Sequence, residues 1–180
     1  MKKPRLSRAT LLPRLADHVL AHGLAGASLR PLAKAAGTSD RMLLYHFGSK
    51  DALVEALLGH LAERFTRALD TAFPGARAPS RQACFESVMH VTSQPAFAPF
   101  ITLWWDIVAG CARGDAAFLA AAGQIMDELL RWVEAHLPDD DPDPQAGAKL
   151  VLTLIEGAQM LDAVGRAAIG RGAVLPAPQS

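Results

Sequence analysis

The sequence predicts an all-α protein: an N-terminal three-helix head with a helix-turn-helix, and a C-terminal helical bundle. Three observations carry this. Ala and Leu dominate a chain that is 51% apolar, and no stretch alternates β-branched with polar residues as a half-buried strand would. Apolar residues recur three and four apart in almost every segment. Finally, Ser28 to Leu53, SLRPLAKAAGTSDRMLLYHFGSKDAL, reads as a helix, a tight turn, a short second helix and the start of a third. The 180 residues suffice for a sizeable core, divided here into 1–48 and 49–180.

Taken in order, Met1 to Ser7 carries Lys2, Lys3 and Arg5 and is expected to be a mobile basic arm. The first helix shows Leu12, Leu15, Ala16, Val19 and Leu20 on one stripe and ends at Gly23. Pro13 fits it if Thr10 begins the regular helix, since first-turn amides need no internal partner. Ser28 is positioned to cap the second helix, whose stripe is Leu29, Leu32, Ala33 and Ala36. Gly37 allows the turn, Thr38 or Ser39 caps the third helix, and Gly48 ends it after Phe47. Ser49 caps a long helix reaching about Ala72 through Leu53, Leu57, Leu61, Phe65 and Leu69, closed by Pro74 and Gly75. A helix over about Ser80–Ser93 follows. Next comes the aromatic segment QPAFAPFITLWWDIVAGCARG, then a long helix capped by Asp115 and reaching about Leu137. PDDDPDP is a loop of solvated acids, and one last helix spans about Asp143 to Gly170, with Gly157 and Gly165 permitting close helix approach.

The formal net charge is zero, but it is unevenly spread. Residues 1–50 hold nine basic and two acidic side chains (net +7), and residues 51–180 hold nine basic and sixteen acidic (net −7). A basic module on an acidic body supplies the phosphate-neutralising charge on which nucleic-acid affinity rests. Cys84 and Cys111 are too far apart in sequence for a metal-ligand pair, and together with the lack of a signal peptide they point to the cytoplasm. No apolar run is long enough for a membrane span. The six histidines are scattered, and no nucleophile elbow, phosphate loop or dinucleotide fingerprint occurs, so no catalytic residue, metal or cofactor is expected.

The second helix of a helix-turn-helix enters the DNA major groove. Here it carries Arg41, able to donate a bidentate pair to guanine, with Tyr45, His46 and the following Lys50 suited to phosphate. The full candidate interface is Ser28, Arg30, Thr38, Ser39, Asp40, Arg41, Met42, Leu44, Tyr45, His46 and Lys50.

GTSDRMLLYHFGSKDAL, Gly37 to Leu53, resembles the DNA-binding signature of the tetracycline-repressor (TetR) family, and Leu15 to Gly37 resembles that family's first two helices. The resemblance implies a dimeric, one-component transcriptional regulator whose N-terminal helices bind an operator and whose divergent body binds a small effector. It departs from the family at Arg41-Met42, where many members have Gly-Thr, and at Leu44, where an aromatic is frequent. Base preference therefore does not carry over. The expected effector is small and apolar, in a pocket walled by Phe97, Phe100, Trp104, Trp105, Met89 and Met126, with His90, Asp106, Glu156 and Gln159 as polar anchors. The homodimer is expected to form through the last two helices. Two rivals stand beside this reading: a helical small-molecule protein or enzyme whose hairpin is idle, and a DNA-binding repressor with no effector.

Overall fold

The computed structural model describes residues 6–24, 28–73, 75 and 77–172, and among these there are helices and no strands. The chain forms two compact units, one of Met1–Phe65 with Ala96–Ile125, the other of Thr66–Pro95 with Met126–Ser180.

The first unit begins with α1 (Arg8–His22), α2 (Leu29–Ala36) and α3 (Asp40–Phe47). Ser7 caps α1 in a capping box: its hydroxyl accepts the Thr10 amide while the Thr10 hydroxyl accepts the Ser7 amide. The helix thus starts at Arg8, not Thr10, and Pro13 lies inside it. The Ala9 carbonyl loses its usual donor, and because both residues are exposed, water can serve it. Leu11, Leu15, Ala16 and Val19 of α1 are buried with Leu32, Ala33 and Ala36 of α2 and Leu43 and Phe47 of α3. The same core takes Leu53, Leu57, Leu58 and Leu61 from α4 (Lys50–Ala72), Leu103 and Ile107 from α6 (Ala98–Ala112), and Ala121 from α7 (Ala116–His136). Phe65 meets Phe97 edge-on at 5.8 Å and Phe100 at 5.6 Å; Phe97 is buried, and Phe100 is half-buried against the leucine core.

The second unit holds α5 (Arg81–Thr92), α8 (Pro144–Ala163), α9 (Ala167–Arg171) and the remaining parts of α4 and α7. The expected single last helix is broken at Val164–Arg166, where Gly165 takes a positive φ of 72°. Among the described residues nothing lies within 4 Å of a Cβ placed on Gly157 or Gly165, whereas one on Gly170 would lie 3.0 Å from Ala158. Trp132 is buried, meets Phe73 edge-on, stacks on His136 at 3.9 Å and donates its Nε1 hydrogen to Asp70 at 2.5 Å.

The acidic loop is not uniformly solvated. Asp143 caps α8, and the Asp141 side chain is 1% exposed, gripped at both oxygens by Nε and Nη2 of Arg81 at 2.6 and 2.5 Å. The guanidinium also donates to the Asp143 carbonyl. Gly147 makes room, since a Cβ there would lie 2.6 Å from Arg81 Nε. This bond holds the Asp141 carboxyl below the usual carboxylate range and raises Arg81. A depressed carboxyl stabilises the fold fully above its unfolded pKa of about 3.9 and loses that contribution as pH falls through the lower folded value. Arg81→Ala, which strands a buried carboxylate, should cost about 3–5 kcal/mol in chemical denaturation near neutral pH. The gap between wild type and Arg81→Ala should narrow as pH falls, because the stranded carboxylate takes up its proton above, and the paired one below, the ordinary value of about 3.9. A constant gap down to pH 2 would mean the pair is not the source.

Candidate nucleic-acid interface

The hairpin closes at Gly37, in the left-handed region at φ 67°, ψ 36°, where a side chain would be strained. Ser39, not Thr38, caps α3, accepting the Met42 amide at 3.3 Å, and Asp40 sits in the helix's positive first turn. Ser49 likewise caps α4 through the Ala52 amide at 3.1 Å. Ser28 has extended backbone at the start of α2 but makes no side-chain cap bond, against the sequence expectation.

Leu43 and Phe47 point α3 inward. Helical spacing then puts Arg41 and Tyr45 on the opposite face, with Leu44 and Met42 at its flanks. Exposure agrees: Arg41 is exposed, Tyr45 is 78% exposed, and Met42, Leu44 and His46 are half-buried. Ser28, Arg30, Asp40 and Lys50 are exposed around this face, and Thr38 is half-buried. Tyr45 and His46 form an edge-on pair at 5.3 Å, and His46 Nε2 is buried without a hydrogen-bond partner. Two residues missed at the sequence level adjoin the hairpin. Arg8 Nε donates to the His46 carbonyl at 2.5 Å, and Arg14 Nη1 to the Ala36 carbonyl at 3.1 Å. The available signal was a cation in the first turn of α1, where no acid accompanies it and the helix dipole disfavours it.

The ten expected pocket residues are divided between the units. Phe97, Phe100, Trp104, Trp105 and Asp106 belong to the first, and Met89, His90, Met126, Glu156 and Gln159 to the second. Phe97 is buried with its ring against Phe65, and Asp106 accepts the Leu24 amide at 3.3 Å. Gln159 is buried and donates to the Thr92 hydroxyl. Within the second unit, α5, α8 and α9 bound a groove of about 390 Å³ containing Phe85, Met89, His90, Glu86 and Asp162. Of the expected set, Met89 and His90 line it. Burial pushes the Cys84 thiol up to about 12, which makes it inert at neutral pH. Among the described residues no three His, Cys, Asp or Glu side chains gather as a metal site, and no helix is long and apolar enough to cross a membrane.

Residues 15–57 match the family model of bacterial regulatory proteins, tetR family. No curated protein matches the chain. Among solved structures it is similar to a transcriptional regulator from Rhodococcus sp. Rha1, at 23% identity over 91% of this chain and 87% of that one, TM-score 0.65. It is similar to the reduced form of NemR from E. coli, at 17% identity over 91% and 90%, TM-score 0.65. It is also similar to the multidrug binding protein EbrR complexed with imidazole, at 19% identity over 96% and 98%, TM-score 0.64. At these identities the structural likeness is one of fold.

The caps make a testable contrast. Ser39→Ala should lower stability in urea by about 1 kcal/mol, because it removes the hydroxyl that accepts an orphan amide of α3. Ser28→Ala should change it by only a few tenths, roughly, as no such bond is lost. Equal effects would show that the two hydroxyls do not differ in this way.

Proposed function

We propose that the chain, whose residues 15–57 match the tetR family of bacterial regulatory proteins, is a DNA-binding regulator of that family and a repressor released from its operator by a small effector. The observation that carries the DNA half is the outward face of α3, with Arg41 and Tyr45 opposite the buried Leu43 and Phe47. Arg41 reads a base. Tyr45, His46 and Lys50 hold phosphates and set the register. The functional division is 1–48 for DNA and 49–180 for effector binding and dimerisation, a partition by role that differs from the two compact units.

For the effector, support comes from the groove at Met89 and His90, which joins an apolar floor to a few polar groups, and from a fold shared with a multidrug binding protein. The sequence-derived wall at Trp104 and Trp105 is the second candidate. Release requires tighter binding to the form that fits DNA poorly, typically a coupling of roughly 1–3 kcal/mol.

Selection of binding sites from random duplexes tests the DNA half. Lys50→Ala should weaken all sequences alike and flatten the salt dependence. Arg41→Ala should relax preference at one position, costing about 1–3 kcal/mol there. An unchanged preference would remove Arg41 as a base reader. A panel of apolar and aromatic compounds that never releases the selected operator would leave the effector-free repressor as the better account.

A dimer supplies the second head that tight operator binding needs. On α8 the face opposite the buried Val151, Ile155 and Ala158 carries Thr153, Gly157 and Met160, and Met160 and the C-cap Val164 are exposed. A Cβ at Gly157 meets none of the described residues within 4 Å, so a side chain can start there without displacing the subunit's own packing; Gly157→Glu places a charge on this face. Together with Met160→Glu it should convert a micromolar dimer to a monomer in sedimentation with helical content kept. A dimer that survives both changes, or a wild-type monomer, would refute this face.

A further inference from the structure

The head contains two cations whose placement its own helix does not explain. Arg8 is the first residue of α1, where the helix dipole opposes a positive side chain and no acid offsets it. Its guanidinium is used elsewhere. Nε donates to the His46 carbonyl at 2.5 Å, and the guanidinium carbon lies 5.4 Å from the centre of the Phe47 ring. Six residues on, Arg14 Nη1 donates to the Ala36 carbonyl at 3.1 Å. Ala36 ends α2, and His46 is the penultimate residue of α3. Carbonyls in a helix's last turn have no donor within the helix, and a cation there is favoured by the dipole. One helix thus caps the C-terminal ends of both helices of the hairpin.

We propose that Arg8 and Arg14 are positioning residues for DNA reading: they fix the pitch of α3 against α1, and Arg8 is not primarily a phosphate contact. The proposal rests on the DNA-binding reading above. Both arginines precede residues 15–57, so they are features of this chain outside the matched family region. The need for them follows from α3 itself. It is eight residues long, its buried side chains are Leu43 and Phe47, and its outward face carries Arg41 and Tyr45. A helix this short is not self-supporting, and an error of about 1 Å in its placement would spoil bidentate base contacts. Lysine cannot replace Arg8, because one ammonium lacks the planar fork that bonds a carbonyl while lying over a ring.

Two measurements on the full-length protein test this. In the free protein, amide hydrogen exchange at Leu44 to Gly48 should quicken by about tenfold in Arg8→Ala, the scale of one charge-assisted hydrogen bond. On DNA, the ratio of affinity for the selected operator to affinity for random duplex should fall by a similar factor, with the salt slope unchanged. Arg8→Lys should reproduce both losses, and it stands in where the alanine variant does not fold. Arg14→Ala should show the weaker form of the same pattern. The proposal is overturned if exchange is unchanged. It is equally overturned if operator and random duplex weaken together, the salt slope drops by about one and lysine restores both, the signature of a phosphate contact. A wild-type protein that selects no DNA sequence sinks the DNA-binding reading instead, while the exchange result still reports whether Arg8 clamps α3.

Discussion

The leucine layer under the hairpin is the constraint on which the head depends. α2 and α3 are eight residues each, well under the roughly 12–15 residues at which an isolated helix becomes even marginal in water. They exist because Leu32, Ala33, Ala36, Leu43 and Phe47 are buried against Leu11, Leu15 and Val19 of α1 and the leucines of α4. A fully buried leucine or phenylalanine contributes about 1.5–3 kcal/mol, so this layer outweighs any intrinsic helix preference of so short a segment. It also settles orientation. Once Leu43 and Phe47 face inward, the 100° step leaves Arg41 and Tyr45 on the outward face.

What burial cannot do is finish the ends. A two-turn helix has nearly as many orphan carbonyls and amides as satisfied ones. The head completes them with short polar devices: the Ser39 hydroxyl at the start of α3, the Gly48 amide back to Leu44 at 2.8 Å, and the arginines of α1 at the two C-terminal ends. Burial sets which face is presented, and the caps set where the ends lie.

Much of the architecture was legible in sequence because it is local. Glycines 37 and 48 and the serines 39, 49 and 80 all mark helix ends in the structure. The misses have physical reasons. Ser7 and Thr10 are both good caps, and the structure uses them together, which hid the true start of α1. The break after Ala163 falls in a run of small residues where Ala continues either pattern, so periodicity gives no stop before Gly165. Asp141 looked like its solvated neighbours because its partner, Arg81, is 60 residues away. The pocket was read from aromatic content, but Phe97 and Phe100 meet Phe65, while Gln159 and Asp106 are engaged by Thr92 and the Leu24 amide. Composition reports that apolar side chains are present; it does not report whether a cavity is left between them.

The charge asymmetry reads differently once partners are known. Of the nine basic residues in 1–50, Lys2, Lys3 and Arg5 lie outside the described residues, and Arg8 and Arg14 are bonded to backbone carbonyls. Arg30, Lys34, Arg41 and Lys50 are the other basic residues described in this segment, and all four are exposed. Each phosphate neutralised adds about 0.9 to the salt slope, so these four side chains can contribute at most about 3.6 to it. In the proposed dimer a second head at a fixed spacing adds to this hold. That spacing ties the geometry of α3 to whatever joins two copies of the chain. Under the proposed effector control, a ligand need not touch the DNA face: a change in the distance between heads would turn two weak contacts that add into two that compete.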